Sequence, residues 1–462
     1  MTRAQAEAAF YEGSRLMAAG DAGAAAQACF ERALELAPEL AEAIINLGWL
    51  RAQAKDLIQA ERFYREAIAR NPTLTRAWLL LGVLLMDAKR FVEAEQIYRQ
   101  VALIASHEPD VWSNFGVLLA CLQREEEAEQ CYLKALALQP HHAMSRFNLS
   151  YLLLRQERWE QGWLNLESRW QYEHLTTHFT CPRWRGESLH GKALVIGFEA
   201  GHGDMIFYSR YVALVKARGA TTISIVCHPG LVALFSRMEG IDQALSFHAD
   251  VPHTGWDYWV PPMSLPYLCA TRADTLPATV PYLTTDPEIE ATWARRSGSI
   301  GPGLRVGLVW NGNADFENDA DRSLHTLDLL RPLSAIPGVC LISLQKGHGE
   351  AEAACPPEGM SLLAWGSELH DFADTAGLVA NLDLVISVDT AVAHLAGALG
   401  KPCWLLLPDY RADWRWHTRR SDSPWYPCMR LFRQPHGGGW ETVIAEVVAA
   451  LTRLLVSRNV IL

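Results

Sequence analysis

The chain has 462 residues, 50% of them hydrophobic and 20% charged, which is enough for two or three domains of ordinary globular composition. A formal net charge of -11 argues against a general binder of nucleic acid or of anionic membranes. The first residues lack the basic and apolar regions of a secretion signal, and no apolar run approaches the ~18 residues of a membrane span, so we expect a cytoplasmic protein without a membrane span.

Ten cysteines are spread along the chain, and no two of them form a C-x-x-C pair. Neither a zinc site nor a disulfide framework is therefore indicated. We expect most of these cysteines to be reduced thiols that are buried as small hydrophobic side chains.

From the start to about residue 150, the sequence repeats with a period of 34 residues. Glycine, alanine and tyrosine recur at fixed positions of the repeat: Gly48, Gly82 and Gly116; Ala60, Ala94 and Ala128; Tyr64, Tyr98 and Tyr132. This pattern resembles the tetratricopeptide repeat, a pair of helices that stacks into an α-solenoid. We expect the small residues to let the paired helices approach, and the aromatic residue to fill the gap against the next unit. Over residues 1–150 the pattern thus predicts a solenoid whose concave surface binds a partner protein.

Residues 151–185 are expected to form capping helices and a linker, or a degenerate fifth repeat that begins near residue 143. Their tryptophans, Trp159, Trp163 and Trp170, are interpreted as packing onto the next domain rather than stacking on a sugar. Two aromatic runs near the C-terminus, residues 413–416 and 423–427, are interpreted as packing that ties a C-terminal helix, about residues 441–456, back onto the first α/β domain, although they could instead shape the donor pocket.

After residue 185, short apolar runs alternate with helical patterns, which predicts parallel βαβ units. The expected strands are residues 193–198, 222–227, 244–247 and 258–260 in a first series, and 306–310, 341–344, 384–388 and 403–407 in a second. A Gly- and Ser-containing hinge at residues 298–303 separates the two series. The sequence therefore predicts two doubly wound α/β domains, residues 186–297 and 298–462, with a cleft between them.

The turn after the first predicted strand reads Gly201-His-Gly-Asp204. Gly201 and Gly203 have no side chains, so the backbone of this turn can stay close to the end of the strand. Asp204 is thereby brought to the start of a helix that faces the cleft. There Asp204 could act as a general base or could cap the helix. His202 could orient a substrate, although a solvent-facing loop histidine is the default interpretation.

Strand 384–388 leads directly into a helix whose first turn carries Asp389, Thr390 and His394. In an open α/β sheet the ligand lies at the carboxyl ends of the strands, where free helix N–H groups and the helix dipole favour phosphate. Asp389 and Thr390 could merely cap this helix, but capping does not require His394. We therefore expect an anionic nucleotide at this turn.

Other polar residues follow the neighbouring strands. Asn311 opens a long polar loop, and Arg322 within that loop is a natural partner for a diphosphate or carboxylate, unless it pairs with Asp319 or Asp321. Lys346 ends the next strand, where a phosphate or nucleobase would lie. Four strand ends that present polar groups to one crevice are stronger evidence for a ligand site than any single residue.

Residues 186–450 resemble the GT-B glycosyltransferases of the heptosyltransferase type, through Gly201-His-Gly-Asp204 and Val388-Asp-Thr-Ala-Val-Ala-His394-Leu-Ala-Gly-Ala-Leu-Gly400. The whole chain resembles bacterial proteins that place tetratricopeptide repeats before such a domain, a layout that is also seen in flagellin glycosyltransferases. The resemblance implies a GT-B fold of two Rossmann-like domains.

The same resemblance implies roles for individual residues. Asp204 would be the catalytic base, with His202 and Gly203 beside it on the acceptor side. Donor binding would fall to Asp389, Thr390 and His394, together with Asn311, Arg322 and, as a looser match, Lys346. The reaction would be an inverting transfer from a nucleotide sugar to an acceptor hydroxyl, with no metal or cofactor.

The repeats would then dock a protein acceptor, such as a flagellin-like protein modified by O-glycosylation on Ser or Thr. Two alternatives stay open: a repeat scaffold that binds a nucleotide sugar without transferring it, and a transferase that acts on a lipid-linked glycan. The net charge of -11 weakens the second alternative.

Overall fold

The computed structural model describes residues 2–20, 23–173, 175, 177 and 179–459, and for residues 2, 458 and 459 it describes the backbone alone. The chain divides into two compact units. The first unit comprises residues 1–152 and 168–174, and the second comprises residues 153–167 and 175–462. Residues 1, 21, 22, 174, 176, 178 and 460–462, which belong to the predicted domains and linker, lie outside the described residues.

The first unit consists of helices that pack in consecutive pairs, as the 34-residue period predicts. Its helices are α1 (Thr2–Ala18), α2 (Ala24–Leu36), α3 (Ala41–Gln53), α4 (Leu57–Arg70), α5 (Thr75–Asp87), α6 (Phe91–Ile104), α7 (Pro109–Cys121), α8 (Glu125–Leu138), the first part of α9 (Ala143–Arg155) and α11 (Arg169–Tyr172). Each odd-numbered helix from α1 to α7 packs on the helix that follows it.

In each central repeat, the glycine of the first helix lies against the tyrosine ring of the second. A Cβ atom on Gly48, Gly82 or Gly116 would come within 2.7, 2.6 and 2.6 Å of ring atoms of Tyr64, Tyr98 and Tyr132 respectively. Glycine is therefore required for the close approach, as expected. The ring covers the glycine of its own repeat, which differs from the expectation that it fills the gap to the next one. Tyr98 does both, because it also stacks on Phe115 of the following repeat at 5.9 Å between ring centroids.

The turn between paired helices repeats as regularly as the helices do. Lys55, Lys89, Gln123 and Glu157 are spaced 34 residues apart and all have a positive φ, between 58° and 63°. The last of these turns joins α9 to α10 (Trp159–Leu166). The pair α9–α10 therefore keeps the turn of a fifth repeat, although Ser150 and Leu166 occupy its glycine and tyrosine positions.

The second unit contains two parallel sheets, which confirms the α/β prediction. The first is ordered β3-β2-β1-β4 and consists of β1 (Ala193–Ile196), β2 (Thr222–Cys227), β3 (Gln243–Ser246) and β4 (Tyr258–Val260). The second is ordered β6-β5-β7-β8-β9 and consists of β5 (Leu304–Val309), β6 (Val339–Ser343), β7 (Leu384–Val388), β8 (Cys403–Leu407) and β9 (Met429–Arg433). Strand β9 was not predicted.

Many helices of the second unit are short. Besides α10, the α-helices of this unit are α12 (His202–Ser209), α13 (Val212–Ala217), α14 (Val232–Phe235), α15 (Leu265–Leu268), α16 (Pro287–Gly298), α17 (Asp319–Arg322), α18 (Arg331–Ser334), α19 (Glu350–Ala354), α20 (Phe372–Ala380), α21 (Ala391–Ala398) and α22 (Trp440–Asn459). The helix that begins beside Asp204 is α12, and it is separated from α13 at Arg210 and Tyr211.

Helix α16 belongs with the second sheet, whereas the predicted boundary at residue 298 would place it with the first. A Cβ atom on Gly377 of α20 would meet Ile289 of α16 at 2.6 Å, and Asn381 Nδ2 donates a hydrogen bond to Glu290 O at 3.0 Å. The terminal helix α22 also packs on the second sheet, where Trp440 and Val447 share a buried core with β5 and β7. The position of α16 is therefore decided by its packing on α20 and not by the Gly-Ser pattern of the hinge.

All ten cysteines are free thiols, as expected. Their expected burial is confirmed for three of them, Cys131, Cys227 and Cys403, whereas Cys355 is exposed and the others are half-buried. In the described part of the chain, no helix combines the length and the apolar character that crossing a membrane requires.

We predict that Gly82→Leu destabilises the repeat region, because its side chain would collide with the ring of Tyr98. Overpacking of this kind costs about 1–3 kcal/mol. Thermal melting followed by far-UV circular dichroism should show an earlier transition for the variant. Arg76→Leu, at an exposed position of the same helix, is the matched control and should melt like the unmodified protein. Identical melting of Gly82→Leu would contradict the packing described above.

Candidate functional site

The first turns of α12 and α21 lie against each other, although one helix follows a strand of the first sheet and the other follows a strand of the second. A Cβ atom on Gly203 would lie 2.8 Å from His394 Cδ2 and 3.5 Å from Ala391 Cα. The two sequence motifs, one carrying Asp204 and the other carrying Asp389, are therefore brought together by a contact that glycine permits.

Asp204 uses both of its carboxylate oxygens. Oδ2 accepts a hydrogen bond from the backbone N–H of Gly201 at 3.2 Å, and Oδ1 forms an ion pair with Arg415 Nη2. The side chain keeps 28% of its surface exposed. Asp204 is thus not the N-cap, since Gly201 occupies that position; it supplies the carboxylate that bonds back to the N-cap N–H.

Asp389 and Thr390 do more than cap α21. Thr390 is the N-cap residue, but no side-chain capping bond is made there, and its hydroxyl instead bonds to Ser387 Oγ at 3.0 Å. Asp389 Oδ2 accepts a hydrogen bond from Trp416 Nε1 at 2.9 Å. Burial, reinforced by the nearby carboxylate of Asp413, raises the pKa of Asp389 to about 6. Thr390 therefore makes no side-chain cap at the N-terminus of α21, and a largely buried carboxylate lies beside it.

His394 is a buried residue that links several aromatic side chains. Its Nδ1 is 3.0 Å from Tyr426 Oη, which is in turn 3.2 Å from Tyr282 Oη, and its Nε2 is 4.0 Å from Asp389 Oδ1. Burial, together with the charges of Arg415 and Arg210, lowers the pKa of His394 well below its usual value. His394 is therefore a neutral, buried side chain that packs next to the carboxylate of Asp389.

The segment of residues 413–416, Asp413-Trp-Arg-Trp416, follows β8 and contacts both motifs. Arg415 pairs with Asp204, and Trp416 bonds to Asp389. Sequence reasoning interpreted this run as aromatic packing and missed Arg415. The available signal was an arginine between two tryptophans, since a cation in a buried aromatic run needs a carboxylate partner.

The packing interpretation of Trp159 and Trp163 is confirmed, whereas the C-terminal helix that the later aromatic runs were expected to tie to the first domain packs on the second sheet. Trp159 and Trp163 of α10 stack on each other at 5.9 Å, and both meet Trp414 and Trp425 edge to face. All four rings are buried. These tryptophans hold the segment of residues 413–416 against α10 and do not form a sugar platform.

The three remaining donor-side candidates lie in different surroundings. Arg322 is paired with Asp319 Oδ1 at 3.0 Å and lies over the ring of Phe316, yet it is close enough to Asp389 to favour the charged form of that carboxylate. Lys346 is half exposed at the end of β6, 3.5 Å from Glu350 Oε1. Arg322 thus lies near Asp389 of the second motif, whereas the contacts of Lys346 are with surface groups.

The side chain of Asn311 is buried and bonded inside the protein. In the amide orientation that satisfies both groups, Nδ2 donates to Leu324 O and Oδ1 accepts from Trp310 Nε1, each at 3.0 Å. Its backbone N–H and carbonyl are held by Gln345. In this structure Asn311 therefore shapes the start of its loop instead of presenting its amide to a donor.

His202 is not a solvent-facing loop residue. It begins α12, and its ring lies between the ring of His228, at 3.7 Å, and that of Phe372 at the start of α20, at 5.3 Å. Burial, with His228 beside it, lowers the pKa of His202 to about 4. The histidine thus joins the first sheet to the second as a neutral stacking group.

Metal binding has no candidate cluster in the residues that the structure describes: no group of three or more His, Cys, Asp or Glu side chains is placed to hold an ion. The charged groups that act on Asp389 and His394 include Arg322, Arg415, Asp413 and Arg210.

Comparison with known proteins supports the assignment of the repeats, and one alignment extends beyond the repeat region. Family models for the tetratricopeptide repeat match residues 12–75, 51–113 and 109–142, so the N-terminal region carries these repeats. The chain is 31% identical over 335 residues to Protein FlbA of Caulobacter vibrioides (strain ATCC 19089 / CIP 103742 / CB 15), an alignment that covers 67% of this chain and 55% of that protein. The chain thus spans about half the length of this curated relative.

Several solved structures are similar at low sequence identity. PilF of Pseudomonas aeruginosa is 20% identical with a TM-score of 0.34, over 37% of this chain and 77% of that one. The thermophilic TPR protein TTC0263 of Thermus thermophilus is 20% identical with a TM-score of 0.32, over 37% and 97%. YrrB, a TPR protein described as having an unusual peptide-binding site, is 17% identical with a TM-score of 0.28, over 36% and 85%.

We predict that His202 makes the second unit sensitive to acid. Its pKa is lower in the folded protein than the ~6.5 of an unfolded chain, so its contribution to stability is complete above pH ~6.5 and is lost as the pH falls towards about 4. His202→Phe keeps a stacking ring that does not titrate. The melting temperature of this variant should therefore fall less than that of the unmodified protein between about pH 7 and about pH 5. His141→Phe, at an exposed position of the first unit, is the control; an equal fall for His202→Phe would contradict the assignment.

Proposed function

We propose that the second unit is an inverting glycosyltransferase of the GT-B type, which moves a sugar from a nucleotide sugar to an acceptor hydroxyl without a metal or other cofactor. The proposal depends on one observation: the contact at Gly203 brings Asp204 of one parallel sheet beside the N-terminus of α21 in the other. A candidate base and a candidate phosphate site, each at the carboxyl ends of its own strands, thus share one location.

The donor would bind at the start of α21. Its N-cap residue, Thr390, makes no side-chain capping bond, and the backbone N–H groups of the first turn together with the helix dipole favour a phosphate. Thr390 supplies a hydroxyl at the same turn. Asp389, held by Trp416 and supported by His394, would accept hydrogen bonds from sugar hydroxyls, and Arg322 would approach the negative charge of the phosphate.

In the proposed reaction the acceptor oxygen attacks the anomeric carbon of the donor sugar while Asp204 takes the proton of that hydroxyl. The bond between the anomeric carbon and the phosphate oxygen breaks, and the nucleotide leaves with the bonding electron pair. The N–H groups of α21 and the nearby guanidinium groups would stabilise this leaving charge. A glycoside of inverted configuration and a free nucleotide are the products.

The acceptor in this proposal is a Ser or Thr hydroxyl of a flagellin-like protein that the repeats bind. Tetratricopeptide repeats typically bind other proteins. The family models for this repeat together match residues 12–142 of the chain. The proposed compartment is the cytoplasm, which agrees with ten free cysteines.

A scaffold that binds a nucleotide sugar without transferring it is the second candidate. One observation favours it: Asp204 and Asp389 are both bonded to groups of the protein itself, Arg415 and Trp416. Measurements of transfer and of binding on the same variant separate the two candidates.

We predict that Asp204→Asn abolishes transfer and leaves nucleotide binding intact, because the amide cannot accept the acceptor's proton. Removal of a general base lowers the rate by roughly 10²–10⁴-fold. Asp257→Asn is a matched control, since Asp257 also pairs with a cation, Lys192, and with a backbone N–H, that of Ala193, but lies elsewhere on the first sheet.

The measurements are transfer of sugar to protein, followed by mass spectrometry, and nucleotide affinity, followed by calorimetry. An Asp204→Asn variant that transfers as fast as the unmodified enzyme would exclude Asp204 as the base. An unmodified protein that binds nucleotides but never transfers sugar would favour the scaffold.

Deletion of residues 1–140 tests the role of the repeats. This change leaves α9 intact, because that helix begins at Ala143. We expect the shortened protein to bind nucleotide like the full chain and to lose transfer to its protein acceptor. Nucleotide binding is the control for folding, and equal rates on the protein acceptor would show that the repeats do not dock it.

A further inference from the structure

Arg415 is a buried cation at the point where the two motifs meet. Its side chain retains 6% exposure, Nη1 is 3.0 Å from Asp413 Oδ2, and Nη2 pairs with Asp204. The guanidinium plane lies over the ring of Phe207 at 4.5 Å. Two carboxylates and an aromatic face therefore hold it in the low-dielectric interior of the second unit.

The charge of Arg415 acts on the donor side as well as on the acceptor side. It favours the charged form of Asp389 and disfavours the charged form of His394, so its guanidinium lies within electrostatic range of the first turn of α21. Arg322 also acts on Asp389, but its guanidinium is already paired with Asp319 in its own loop. Arg415 is thus the cation that touches the candidate base and lies near the candidate phosphate site.

The ion pair restrains the carboxylate that is proposed as the base. Oδ1 is engaged by Arg415, and Oδ2 accepts the N–H of Gly201. An acceptor hydroxyl that approaches Oδ1 must therefore share this oxygen with the guanidinium or displace the guanidinium. The bond to the backbone is fixed by the helix start, whereas a guanidinium can exchange one anion for another.

The segment that carries Arg415 is bounded by two strained residues. Arg411 has a φ of 53° and His417 a φ of 55°, values that non-glycine residues rarely adopt. Such strain is found where a protein holds functional groups in position or changes conformation. Between the two strained positions, the segment contacts the motifs through the bonds of Arg415 to Asp204 and of Trp416 to Asp389, and through the ring of Trp416, which lies 5.3 Å from that of His394.

We propose that Arg415 is a ligand of the donor's phosphate and that it exchanges Asp204 for that phosphate when the donor binds. This inference rests on the proposed function. Phosphate presents oxygens that match the guanidinium fork in the same way as a carboxylate does. Donor binding would thereby release Oδ1 of Asp204 from the guanidinium, so that the whole of this oxygen is open to the acceptor hydroxyl once a sugar is in place.

Calorimetry with a panel of UDP, GDP, ADP and CMP tests the proposal on the full chain. Arg415→Ala should weaken binding of the nucleotide that the unmodified protein prefers by about 10- to 100-fold, the range expected for a lost charge-assisted hydrogen bond. Arg415→Lys retains the positive charge but not the paired N–H donors of the guanidinium, so its nucleotide affinity should lie between those of the unmodified protein and Arg415→Ala. Arg420→Ala is the matched control, because Arg420 also pairs with two carboxylates, Glu157 and Asp422, and should bind like the unmodified protein.

Guanidinium added to Arg415→Ala, at a concentration below that which lowers its melting temperature, should restore part of the lost affinity and of the transfer rate. A purely structural role would not produce this rescue. Unchanged affinity in Arg415→Ala, or in Arg415→Lys if the alanine variant does not fold, would overturn the proposal while leaving the proposed function standing. If the unmodified protein binds none of the four nucleotides, the proposed function fails and the role of Arg415 fails with it.

Discussion

Gly203 is the position on which the arrangement of the site depends. Because it has no side chain, the first turn of α12 can lie against His394 and Ala391 at the start of α21. A larger residue would push the two helices apart and separate Asp204 from Asp389. The glycines of the repeats act in the same way against tyrosine rings. Glycine therefore permits close contact between helices in both parts of the chain. In the repeats the contact packs paired helices together, and at Gly203 it brings the two motifs together.

Around that contact the polar groups are buried but paired. Arg415 lies between two carboxylates, Asp389 is bonded to Trp416, and His394 is joined to Tyr426. A second buried cation, Arg210, donates to the carbonyl of Trp425 at 2.9 Å. An uncompensated charge in such surroundings would cost several kcal/mol, so these pairs hold one another in place. The site is thus pre-organised, and the carboxylate of Asp204 is restrained by the same network.

Much of the fold could be predicted, because the pattern that encodes it is local. The 34-residue period, the Gly and Tyr positions and the alternation of apolar runs with helices each depend on residues close in sequence, and the repeats and parallel sheets followed from them. Strand β9 and the placement of α16 did not follow. Met429–Arg433 has arginines within its run, and α16 carries no sign of which sheet it will cover, so only packing against Gly377 decides it.

Within the site, the sequence by itself determined which residues stand at strand ends and helix starts: Asp204 after β1, and Asp389 and Thr390 after β7. Only the tertiary structure decided what each of them touches. Asn311 is turned to Leu324 and Trp310, His202 is stacked between His228 and Phe372, and Arg415, more than 200 positions from Asp204, reaches that carboxylate. The reason is physical: helix and strand patterns arise from neighbours a few residues apart, whereas an ion pair between distant segments exists only once both sheets have packed.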